Sequence, residues 1–139
     1  MTPNVCLHTV SVACSGGGGG STTADPNACA CLIDLTGKGY PPEVASSQCL
    51  DLVALDDTSK AGLATECTKI EAQCKGSMGT YTMGARCSTS SFLGRCKTQP
   101  TSGTQFELNR IIYADPSGKE VPQAKGECTG PTKTWTDKT

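Results

Sequence analysis

Ten cysteines in 139 residues constrain this chain more than any other feature. Eight of them, Cys29, Cys31, Cys49, Cys67, Cys74, Cys87, Cys96 and Cys128, follow a run of five glycines, whereas Cys6 and Cys14 precede it. An even set of cysteines behind a flexible tether reads as a disulfide framework. Cysteine at this density also favours an oxidising compartment. Large apolar residues are sparse, with Trp135 the one tryptophan and Phe92 and Phe106 the two phenylalanines. So poor a core needs staples, and each disulfide typically contributes about 2–4 kcal/mol. A thiolate metal protein is the weaker alternative. Zinc sites use Cys-x-x-Cys pairs or closely spaced histidines. Here the closest pair is Cys29-Ala30-Cys31, and His8 is the one histidine.

The length fits one domain behind a leader, with residues 1–28 expected as a disordered leader and Gly/Ser tether and residues 29–139 as the cysteine-rich domain. The formal net charge is −1, and basic residues such as Lys69, Arg86 and Arg110 are interleaved with acids. Nucleic acid and anionic membrane therefore have no electrostatic support as partners. No stretch approaches the roughly 18 apolar residues that a transmembrane span requires.

Within the leader, Val12-Ala13-Cys14 is followed by Ser15 and the glycines. A small residue, a cysteine and a Gly/Ser tether resemble the processing site of bacterial lipoproteins. That resemblance implies lipidation at Cys14. Ser11 departs from the family's preferred Leu, Val or Ile, and the first basic residue is Lys38. A secretory signal needs a basic start and a 7–15-residue apolar stretch. The expected signal therefore begins upstream of Met1.

Along the folded part, Cys29–Leu35 reads as a strand or a helical turn. Residues 43–56 carry Val44, Cys49, Leu52, Val53 and Leu55, a fair helical face starting after Pro42. Asp57-Thr58-Ser59 offers caps for a second helix. That helix is expected from the Leu63, Cys67, Ile70, Cys74 stripe and ends at Gly76. Cys67 and Cys74 would lie about 10 Å apart along its axis, too far to pair with each other. Residues 77–95 look irregular. Gln105–Ala114 is the best strand, with 95–99 pairing to it as a hairpin through Pro100–Gly103. Residues 119–128 read as a short helix weakened by Pro122 and Gly126.

Two segments echo each other at a spacing of 54 residues: Cys74-Lys-Gly-Ser-Met-Gly-Thr-Tyr81 and Cys128-Thr-Gly-Pro-Thr-Lys-Thr-Trp135. The physical reading is a helix ending at the cysteine, a glycine in the left-handed terminus, and an aromatic folded back as a core plug. With Cys87, Gly94-Arg95-Cys96 and Tyr113, this order resembles a loose group of small cysteine-rich lipoproteins and secreted proteins of Gram-negative bacteria. The resemblance covers about residues 67–135. It implies an extracytoplasmic location (periplasm, outer membrane surface or secreted) and a disulfide scaffold; the group has no assigned activity.

No catalytic constellation emerges. A Cys–His or Ser–His pair would have to use His8, which lies ahead of the tether. Asp56-Asp57 and Asp115 read as helix-start and turn residues rather than calcium ligands. Cys29 and Cys31 read as members of two different disulfides. The expected fold class is a small disulfide-stapled α+β domain with two helices, a β-hairpin and long irregular loops. The preferred pairings are Cys96–Cys128 and Cys74–Cys87. The expected function is a non-enzymatic extracytoplasmic structural or interaction module, lipid-anchored through Cys14, without metal or cofactor. The alternative is a secreted binding effector or enzyme inhibitor using loops at 77–95 or 98–104.

Overall fold

The computed structural model describes residues 21–99 and 105–138. Strands β1 (Thr22–Asp34) and β2 (Ser47–Ala54) pair antiparallel, with Cys31 opposite Leu50. Asp56 then ends the extended chain and starts α1 (Asp57–Ala61), its Oδ1 accepting the Ser59 N–H at 2.8 Å. Helix α2 (Leu63–Gly76) buries Leu63, Cys67, Ile70 and Cys74, the stripe that its sequence spacing defines. The chain returns as β3 (Thr80–Cys87), antiparallel along the outer side of β1.

The same order then recurs. Strands β4 (Gly94–Thr98) and β5 (Phe106–Ala114) pair antiparallel, α3 (Glu120–Glu127) follows, and β6 (Lys133–Asp137) runs along the outer side of β4. Strands β2 and β5 join the halves, so the sheet order is β3-β1-β2-β5-β4-β6.

The two halves agree residue by residue in register. In the first, Tyr81, Cys31 and Leu50 stand side by side; in the second, Trp135, Cys96 and Arg110 do. Leu50 is directly opposite Arg110 and closes the row across the sheet. Likewise Cys29 stands between Leu52 and Met83, and Gly94 between Ile112 and Asp137. The chain is thus two ββαβ modules related by a pseudo-two-fold axis through the β2–β5 pair. The disulfides obey the same relation: Cys31 on β1 bonds Cys74 at the end of α2, and Cys96 on β4 bonds Cys128 at the end of α3. Directly paired residues share a sheet face. Both helices therefore cover one face, and the 54-residue echo in sequence coincides with this internal symmetry.

Two cores result. On the helix side, Cys29, Cys31 and Leu52 pack with Leu63, Cys67, Ile70 and Cys74. On the other side, Ala30, Cys49, Ala85, Cys87, Phe92 and Ile111 cluster under the segment that joins β3 to β4. Tyr113 fixes that segment by donating its hydroxyl proton to the Ser88 carbonyl at 2.6 Å. Strand β1 bends where its register with β3 shifts between Ala24 and Cys29, opposite Gly84, whose φ of 81° is open to glycine.

Several expectations are corrected. Over the described residues the architecture is a mostly antiparallel six-stranded sheet with three helices, two of them short, not a two-helix α+β domain with long loops. Residues 47–54, read as helix, form β2, a central strand buried on both faces and so without clean alternation. Residues 80–87, read as irregular, form the edge strand β3. Residues 22–28, assigned to the leader, belong to β1. Cys74 and Cys87 do not pair with each other: Cys74 bonds Cys31 and Cys87 bonds Cys49. Gly76 is not the left-handed residue after α2, a role taken by Met78 at φ 60°. Tyr81 and Trp135 are half-buried covers on the edge strands rather than core plugs.

Candidate functional site

On the helix side, the pseudo-two-fold axis emerges between α2 and α3, where neither helix covers the sheet. The row residues Leu50 and Arg110 form the floor there. A cavity of about 390 Å³ lies toward α2, walled by Ile33, Leu35, Gln73 and Ser77. A smaller one of about 160 Å³ lies toward α3, walled by Leu108, Ala124, Glu127 and Lys133. Leu50 and Arg110 line both, so the two are ends of one open trough.

Arg110 is where the modules differ most at this axis, since its counterpart is Leu50. Its Nε donates to Gln48 Oε1 at 3.2 Å, and its Nη atoms reach Glu127 at 3.3 Å and Glu120 at 3.5 Å. These pairs are loosely spaced, half-buried at Arg110 and Glu120 and exposed at Glu127, and such pairs contribute up to about 1 kcal/mol each. The guanidinium is oriented by Gln48 on β2 and by Glu120 and Glu127 on α3. The trough thus offers mixed apolar and polar walls over a floor that is apolar at Leu50 and charged at Arg110, a composition compatible with a small recognition groove.

The opposite face carries a second polar cluster of a different kind. Asn109, fully buried on β5, donates to Asp51 Oδ1 at 2.8 Å and to Glu107 Oε2 at 3.0 Å. Its Oδ1 accepts from Arg95 Nε at 3.0 Å and Nη2 at 2.8 Å. Asp51 Oδ2 accepts the Cys87 N–H at 2.7 Å. Glu107 lies within 3.7 Å of Arg86 and 3.6 Å of Arg95. Burial pushes the Asp51 carboxyl above its usual range, against the hydrogen bonds from Asn109 and Cys87. Burial also pushes the Tyr113 phenol up, with the Asp51 charge adding to it. These groups are consumed by one another. Their arrangement braces β2, β3, β4 and β5 and presents no free nucleophile or base.

The residues singled out from sequence divide accordingly. The eight cysteines from Cys29 to Cys128 form four disulfides: Cys29–Cys67, Cys31–Cys74, Cys49–Cys87 and Cys96–Cys128. Among the described residues no thiolate is left to bind a metal. Asp56 caps α1, and Asp115 accepts from the N–H groups of Glu120 and Val121 at the start of α3. Cys6, His8, Cys14 and the turn at 100–103 lie outside the described residues. Sequence reasoning missed Arg110, Asp51 and Asn109. The available signal was a polar residue inside an apolar run, as in Leu50-Asp51-Leu52-Val53 and Leu108-Asn109-Arg110-Ile111.

Among the described residues, no helix is long and apolar enough to cross a membrane. Four disulfides in one small sheet point to an extracytoplasmic, covalently stabilised domain. No protein-family model matches the chain, no curated protein matches it, and no solved structure matches it.

Proposed function

We propose that this protein is a non-enzymatic extracytoplasmic interaction module that presents the α2–α3 trough on a disulfide-locked frame. The observation that carries this reading is the contrast between its two polar clusters. The cluster around Asn109 is buried and saturated, which suits structure. The cluster around Arg110 lies open on the floor of a trough between two rigid modules, which suits recognition. The resemblance to small cysteine-rich lipoproteins and secreted proteins of Gram-negative bacteria supports the same compartment. In this reading Cys14 carries the lipid and the glycine run is the tether from the envelope to the domain.

A secreted effector or inhibitor shares the frame but lacks the lipid. Of the 77–95 loop that this alternative relied on, residues 80–87 form β3 and 88–93 are the segment joining β3 to β4, while most of its other loop, 98–104, lies outside the described residues.

The test has two arms. Intact mass of the natively produced protein, with and without reduction, is expected to differ by about 8 Da for four described disulfides, two hydrogens per bond. Acyl mass on Cys14 supports the anchored form, and its absence supports the secreted one. Free thiols among the eight cysteines would overturn the compartment. Second, a photo-reactive residue at Gln73, on the trough wall, is expected to give adducts in the native host that the same residue at exposed Lys69 does not. Equal yields from both sites would sink the trough.

A further inference from the structure

The two outer strands of the sheet are pseudo-equivalent, yet they are finished differently. Strand β6 is five residues long and carries Lys133 and Asp137 at its ends, with Asp137 held by Trp135 at 2.8 Å and Lys125 at 3.5 Å. Short length and charge are the usual means of closing a sheet edge to other chains. Strand β3 is eight residues long and has neither lysine nor proline. Its one charge, Arg86, turns back toward Asp25 and Glu107 at 3.8 and 3.7 Å. Met83 is 50% exposed on this edge, and Met78 just before it is 64% exposed. Tyr81 and Met83 share a face, the hydroxyl 3.4 Å from the sulfur.

We propose that β3 is a self-association edge, through which two copies of this chain pair antiparallel about a two-fold axis at Thr82. The argument is the self-complementarity of that register. With Thr82 opposite its copy, Tyr81 of each chain faces Met83 of the other, twice over. Sulfur–aromatic contacts contribute about 0.3–1.5 kcal/mol each, and cross-strand pairs are the unit of sheet stability. Residues 80–84 carry no charge, so no like charges stand directly opposite each other in this register. The flank of α2 beside the edge is neutral as well, because Glu71, whose charge acts on the Tyr81 phenol, pairs with Lys75 at 3.7 Å. Beyond Thr82 the ladder is limited by Gly84 and the β1 bulge opposite it, which sets the pairing at about five residues. The chain already joins its own two modules by antiparallel pairing about an axis, at β2 and β5. The β3 pairing would extend that construction to a continuous sheet of two copies. This goes beyond the trough and does not depend on it.

Sedimentation of the full chain over a range of concentrations tests the proposal. The wild type is expected to reach twice the chain mass. Thr82→Lys sets two like charges directly opposite at the axis, and Met83→Lys puts a charge on the exposed edge. Each is expected to weaken dimerisation by about tenfold or more. Both sites are exposed, so far-UV circular dichroism and the mass change on reduction should match the wild type. A readout without substitution is peroxide oxidation: Met83 should be protected as concentration rises, whereas Met78, outside the ladder, should not. A wild type that stays monomeric, a dimer that survives both substitutions, assemblies larger than a dimer, or Met83 oxidation independent of concentration would each overturn the proposal.

Discussion

Leu50 and Arg110 stand directly opposite each other at the centre of the sheet, each occupying the other's place in its own module. Symmetry of the backbone with asymmetry of these two side chains makes the trough one-sided, with an apolar and a charged half of its floor. Arg110→Leu would make the floor symmetric. Because the Arg110 pairs are loosely spaced and only partly buried, the stability change measured by urea unfolding is expected to stay within about 1 kcal/mol. Adduct formation from the Gln73 position is expected to fall, which separates a recognition role from a structural one.

Gly94 and Trp135 illustrate how tightly the second module is closed. A Cβ on Gly94 would run into the indole of Trp135, standing 2.6 Å from Cη2. Gly94→Ala is expected to cost about 1–3 kcal/mol through this overlap. Trp135 would be displaced with β6, and its fluorescence should shift to the red. Adding Trp135→Ala should recover part of the loss attributable to the clash, so a double-mutant cycle with strong coupling checks the contact.

Asp51→Asn keeps the shape of the buried cluster but replaces one acceptor by a donor. Asp51 accepts from both Cys87 and Asn109, and an amide can serve only one of them. A cost of about 1–3 kcal/mol is expected. The pH dependence carries a second signature. Burial raises the folded-state pKa of Asp51, so the unfolded chain loses this proton first. The contribution is present at low pH and is lost as pH rises from the ordinary aspartate range through the folded pKa. The gap between wild type and Asp51→Asn should narrow over that window.

Asp115 shows the opposite sign. Burial works against its charge, but the N–H groups of Val121, Glu120 and Gly118 and the Ser117 hydroxyl prevail and hold it below the usual carboxylate range. Its stabilising effect is complete above that range and is lost as pH falls through the folded pKa. Asp115→Ala is expected to cost about 1 kcal/mol near neutrality, as loss of a helix-start carboxylate does. The difference from wild type should disappear in acid.

Cys49–Cys87 is the one disulfide that ties β2 to the end of β3 across β1, on the face away from the helices. Replacing both cysteines by alanine is expected to cost about 2–4 kcal/mol in thermal or urea unfolding. It should also loosen the 88–93 segment, visible as faster amide exchange at Leu93, whose N–H bonds the Ile112 carbonyl.

Much of the second module was legible because its contacts are local. Strands β4 and β5 are near in sequence, α3 follows β5 through an Asp-Pro-Ser-Gly turn, and Cys96–Cys128 lies within this unit. Helix α2 was legible because one apolar stripe at helical spacing faces one sheet. The first module was misread for physical reasons. Strand β2 lies between β1 and β5 with both faces covered, so its run of Cys49, Leu52 and Val53 mimics a helical face. Strand β3 is polar on its open side and finds its partner in β1, far back along the chain.

The candidate site was legible only in its supports. Cys29 and Cys31 alternate with Ala30 and so share a face, which sends both toward α2, to Cys67 and Cys74. Nothing local marks Leu50 and Arg110 as neighbours. By itself the sequence determined what depends on composition and short range: an oxidising compartment, a stapled fold, the α2 stripe, the hairpin and a repeated cysteine–glycine–aromatic segment. Only the tertiary structure decided that the repeat is a pair of modules, that they meet at β2 and β5, and that a trough opens between their helices. The reason is that register between strands distant in sequence is set by cross-strand packing and disulfide geometry, which no local pattern encodes.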